Sequence, residues 1–112
     1  YHSSDMSQHN YTAHVSPSGE TLRDRLQKFN YSCTRSGELT LYTYYGLVVQ
    51  TENGTERYDT ARELAVGIVR SWMRSDAHRN AIVNASWDRG GVGVIVTDSN
   101  KVYVTLTVCG SR

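Results

Sequence analysis

The sequence predicts an α+β layered domain, read as one unit over residues 1–112. Three observations carry this. Ala61, Leu64, Ala65, Ile68, Val69, Trp72 and Met73 recur at helical spacing and draw one continuous apolar stripe. Val92, Val94 and Val96, then Val102, Val104, Leu106 and Val108, alternate as strands do. The chain has 112 residues, 38% of them hydrophobic and 21% charged, a composition that builds a core rather than a disordered tail.

The elements follow in order. The first nine residues are polar and read as the last turns of a helix. Thr12 to Glu20 is a loop, marked by Ser16-Pro17-Ser18-Gly19. Thr21 with Asp24 three positions on is a weaker form of the capping box, and Leu22, Leu26 and Phe29 share a face after it. Leu39 to Val49 alternates roughly as one strand and meets a turn at Asn53-Gly54. Thr60 and Glu63 form a Thr-x-x-Glu capping box ahead of the long apolar stripe. Gly67 inside that stripe costs about 1 kcal/mol against Ala, which a close approach of another backbone would explain. Ser75 caps a short helix from Asp76 to Val83. Asp98-Ser99-Asn100 joins the two final strands as a hairpin. Gly90-Gly91, ahead of the first of them, reads as a turn, since no phosphate-binding glycine pattern surrounds it.

Charge and cysteine usage narrow the setting. Twelve basic residues against eleven acidic leave a formal charge of +1, so nucleic acid is not the expected partner. No apolar run approaches the length of a membrane span, which argues against an integral membrane protein. Cys33 and Cys109 form no thiolate zinc pattern and read as one disulfide or as two inert thiols, the bridge being favoured. Four glycosylation acceptors stand at Asn10, Asn30, Asn53 and Asn84, where chance predicts roughly one. Together these features point to a secreted, extracellular or cell-surface protein. The abrupt start at Tyr1, with no signal peptide, reads as the interior of a longer precursor.

Candidate chemistry rests on four histidines, His2, His9, His14 and His78. Two imidazoles and a carboxylate can hold an open cation site, but no H-E-x-x-H motif selects a pair. No G-x-S-x-G elbow is present, and the cysteines lack the surroundings of an activated thiol.

Four stretches stand out in order: His2-Ser3-Ser4-Asp5-Met6 with Ala13-His14-Val15-Ser16-Pro17-Ser18-Gly19; Asn30-Tyr31 with Gly37-Glu38; Trp72-Met73-Arg74-Ser75-Asp76-Ala77-His78-Arg79-Asn80-Ala81-Ile82; and Gly91-Val92-Gly93-Val94 with Val102-Tyr103-Val104-Thr105. Together they resemble the CAP superfamily of cysteine-rich secretory, antigen 5 and pathogenesis-related proteins, also called SCP-like, in its microbial variant. The resemblance implies a three-layer α-β-α sandwich. It also implies a central cavity in which His14, Glu38 and His78 match the family's cation-binding residues, with Zn²⁺ as an optional cofactor. Ser75 stands where the family carries a second Glu, and Leu39 where it carries the Asn of "GEN". The first reduces negative charge and weakens cation affinity, and the second removes a polar contact beside Glu38. His2 and His9 match no cavity position and read as surface residues.

The resemblance further implies that the family's long first helix is mostly missing here, which would uncover apolar surface open to self-association. The expected function is a non-catalytic binding module for an unknown small molecule, lipid or protein. The first alternative is a metal-dependent or His/Glu-assisted extracellular hydrolase with Glu38 as general base. The second is lipid or sterol carriage, which needs an apolar groove that the sequence does not locate.

Overall fold

A computed structural model of the chain describes residues 1–51, 54–83 and 87–110. The helices are α1 (His2–His9), α2 (Leu22–Lys28), α3 (Ala61–Arg74) and α4 (Asp76–Val83). The strands are β1 (Arg35–Tyr44), β2 (Val48–Thr51), β3 (Gly54–Arg57), β4 (Arg89–Val96) and β5 (Lys101–Gly110). The main sheet runs β1-β5-β4, antiparallel throughout, and β2-β3 forms a separate hairpin.

Strand register defines the layers. Leu39 and Leu41 lie opposite Leu106 and Val104, so these side chains share one face. That face carries the core, where Leu39, Val102 and Val104 meet Leu64, Ile68 and Trp72 of α3, and Ala81 and Ile82 of α4 pack against them. Glu38, Thr40, Thr105 and Thr107 alternate onto the other face. There α1 lies across β4 and β5, and the Ser3 hydroxyl bonds the Gly93 carbonyl at 2.9 Å and the Thr105 hydroxyl at 2.7 Å. α2 abuts β1. Helices therefore cover both faces of the sheet, giving the α-β-α sandwich the motifs imply.

Local chemistry sets most of the boundaries. Thr21 and Asp24 close a reciprocal capping box, and the Glu63 N–H donates to the Thr60 hydroxyl at 3.1 Å. The His78 N–H reaches the Ser75 hydroxyl at 3.4 Å. Cys33 and Cys109 are joined in a disulfide, with no free cysteine among the described residues.

Three expectations are corrected. The run from Leu39 to Val49 is not one strand. It breaks at Gly46, whose φ of 71° suits glycine and whose N–H donates to the Tyr58 carbonyl at 2.7 Å. Gly90 and Gly91 are not a turn, because β5 is long enough to pair them with Val108 and Thr107 inside β4. Gly67 is explained by a side chain rather than a backbone, since a Cβ there would lie 2.5 Å from the Tyr58 ring.

The sequons at Asn10 and Asn30 lie at exposed left-handed positions following α1 and α2, with φ of 53° and 61°. Asparagine tolerates that conformation better than most residues, so both have a structural reason to be there. Asn53 and Asn84 lie outside the described residues.

Candidate functional site

The centre of the α1/α2 face is a carboxylate held from three sides. β1 turns Glu38 inward, and its side chain is 2% exposed. Arg25 of α2, 5% exposed, pairs through Nη2 with Glu38 Oε2. His14, in the loop between α1 and α2, places Nδ1 3.0 Å from Glu38 Oε1. His2 places Nε2 3.6 Å from the same oxygen. Arg25 also donates through Nη1 to the His14 carbonyl at 3.1 Å, so one guanidinium ties α2, the loop and β1 together.

The two imidazoles have different roles. His2 Nε2 lies 2.7 Å from the Ala13 carbonyl, and a carbonyl only accepts, so Nε2 carries the proton. Its Nδ1 is buried without a hydrogen-bond partner. A carboxylate likewise accepts, so His14 Nδ1 donates to Glu38 and leaves Nε2 as the free nitrogen of a ring that is 61% exposed.

Sequence reasoning places His2 on the surface, and the structure corrects this. His2 is 4% exposed, because it opens α1 on the side that packs against the sheet. Arg25 escapes sequence reasoning altogether. The available signal is its position beside Leu22 and Leu26 on the inner face of α2, where a charge needs a partner. His9 is exposed, 3.5 Å from Asp5.

His14 and Glu38 therefore come together, while His78 does not join them. His78 belongs to α4, the helix layer across the sheet from Glu38. It lines a cleft of about 650 Å³ with Ser75, Trp72, Arg74 and the β1 residues from Thr40 to Tyr44. Among the described residues, no three His, Cys, Asp or Glu side chains cluster so as to hold a metal ion. The donor set therefore does not fit a shared cation: both Glu38 oxygens are engaged by protein partners, and His78 lines a different cleft. No chemical step here is assigned to a metal.

A second groove, of about 500 Å³, opens between α1, α2 and the β4–β5 surface, lined by Tyr1, Leu22, Leu26, Phe29, Tyr31 and Val92 among others. Apolar and aromatic side chains make up much of its lining, with Arg25 and Arg89 at its border.

The profile of the cysteine-rich secretory protein family, CAP, matches residues 1–110. The chain belongs to the CAP family. This CAP domain is also similar to an SCP-domain extracellular protein from Bacillus anthracis strain Ames, with 27% identity and a TM-score of 0.63. That match covers 97% of this chain and 29% of the other. An outer surface protein from Borrelia burgdorferi gives a TM-score of 0.70 at 16% identity, over 99% of this chain and 68% of that one, a likeness of fold. In sequence, the uncharacterized membrane protein YlbC of Bacillus subtilis strain 168 is 30% identical over 93 residues, which are 83% of this chain and 22% of that protein. The chain thus spans under a quarter of that relative and under a third of the anthracis protein. No helix among the described residues is long and apolar enough to cross a membrane.

Proposed function

We propose that this CAP domain works outside the cell as a non-catalytic binding module, with Glu38 serving as a held structural anion rather than as a base or metal ligand. The observation that carries the reading is the engagement of both Glu38 oxygens, by Arg25 and by His14, at 2% exposure. A general base needs a free lone pair within reach of a substrate proton, and a carboxylate paired to a guanidinium is a poor one. The extracellular placement is supported by the disulfide and by the descriptions of the SCP-domain protein and the Borrelia outer surface protein as extracellular or surface proteins.

The test is turnover. The native chain and Glu38→Gln are incubated with a mixed peptide library, with and without Zn²⁺, and products are read by mass spectrometry. The module reading expects no cleavage from either protein. Metal-stimulated cleavage that disappears in Glu38→Gln would establish the hydrolase instead.

A second reading, lipid carriage, is favoured by the groove beside Phe29 and Tyr31, which are 51% and 56% exposed. Apolar aromatic surface left open to water is the feature a lipid chain would cover. Sterol or fatty-acid transfer between vesicles, reduced by Phe29→Ser, is its assay.

A further inference from the structure

The cleft on the α3/α4 side has a wall that Glu38 and its partners do not touch. Five consecutive residues of β1, Thr40 to Tyr44, line it, and so do all four residues of β2. Consecutive strand residues point to opposite faces, so a cavity bordered by all of them runs along the strand edge rather than over one face. β1 pairs with β5 and β2 with β3; neither has a strand on its other edge among the described residues. Two strand edges therefore share one opening of about 650 Å³. Strand edges with unpaired N–H and C=O groups are templates for added strands.

The same cleft holds unused donors. The Trp72 indole N–H and Arg74 Nη2 are both buried without a hydrogen-bond partner, and Trp72 is 5% exposed. Arg70, one turn earlier on α3, pairs with Glu56 at 3.2 Å, whereas Arg74 has no carboxylate partner among the described residues. A buried donor without an acceptor is disfavoured, and a guanidinium at a cleft wall donates best to a carboxylate.

We infer that this cleft binds an extended peptide bearing a carboxylate, laid against the β1 edge with its acid group at Arg74. The inference rests on the binding-module reading and names the ligand class of that module. Main-chain hydrogen bonds supply the affinity, and the lone guanidinium selects the acidic residue.

The experiment uses fluorescein-labelled Val-Thr-Val-Thr-Glu as the probe and fluorescence anisotropy as the readout. The expected result is saturable binding that weakens at least about tenfold when the probe's Glu is changed to Gln, and by a similar factor in Arg74→Gln. A probe N-methylated at alternate amides binds no better than background, because it cannot extend the sheet. Comparing the probes on the native chain keeps the test valid if Arg74→Gln fails to fold. Equal affinity for the acid, amide and N-methylated probes overturns the inference, as does saturable binding of laurate with none of the peptide. Mass spectrometry of the bound probe separates the two claims. Cleaved probe overturns the module reading and leaves the site standing, whereas an intact, unbound probe overturns the site alone.

Discussion

Arg25 and Glu38 show how much one buried pair can decide. Taking two charges out of water is unfavourable, and their attraction offsets it only while both are present. Replacing Arg25 by Met therefore leaves Glu38 buried without its guanidinium counter-charge, and Oε2 without its partner. Arg25→Met is expected to lower unfolding free energy by about 3–5 kcal/mol in urea titration, with much of the loss recovered in Arg25→Met/Glu38→Gln. An unchanged midpoint in the single variant would show that the pair is not holding α2 to the sheet. Gly67 is the second residue whose neighbours set the outcome. Alanine favours helix by about 1 kcal/mol, yet its methyl group would meet the Tyr58 ring at 2.5 Å. Overpacking wins, and Gly67→Ala is expected to destabilise by about 1–3 kcal/mol, with the penalty gone in a Tyr58→Ala background. The same Tyr58 sets an alkaline limit. Burial, then its hydroxyl's hydrogen bond to Glu56 at 2.8 Å and the charge of that carboxylate, push the phenol above its ordinary value. The folded state then keeps a proton that the unfolded state releases, so this contribution is complete below pH about 10 and fades as pH rises further. Tyr58→Phe should flatten stability against pH above about 10, read by circular dichroism.

At the scale of elements, end signals were legible and interruptions were not. Thr21, Thr60 and Ser75 lie where helices begin because a hydroxyl there accepts a backbone N–H that has no partner in the helix. Thr60→Ala is expected to cost about 1 kcal/mol, checked by chemical denaturation. Asp24 adds an acid-side dependence: its bonds to the Thr21 backbone and hydroxyl lower its pKa. That contribution is present above the ordinary carboxylate range and is lost as pH falls through the depressed value. The break at Gly46 was hidden because Leu39 to Val49 keeps its alternation through the bend, and the Tyr58 carbonyl that receives the Gly46 N–H is remote in sequence. The Gly90-Gly91 pair misled for a related reason: glycine suggests a turn locally, and only the reach of β5 makes it strand. The Cys33–Cys109 link ties the segment just ahead of β1 to the end of β5, 76 residues apart in sequence. Cys33→Ser/Cys109→Ser is expected to lose about 2–4 kcal/mol by urea unfolding.

For the whole molecule, the three-layer order followed from family motifs together with periodicity, since each amphipathic element must bury its apolar side against another. The site was only half legible. The motif named His14 and Glu38, which lie 3.0 Å apart, together with His78, which lines the cleft on the other side, and it did not name Arg25 or His2. Convergence of charges across layers is a property of tertiary packing, so neither spacing nor periodicity reports it. The two grooves were equally hidden, because they lie between elements. The central claim is that Glu38 is neutralised by its own chain and that His14 and His78 do not share a cation. Calorimetric titration of Zn²⁺ into the native chain, His14→Ala and His78→Ala tests it most directly. The account predicts no tight one-to-one event that both substitutions abolish. A single site of that kind, lost in each variant alone, would contradict it.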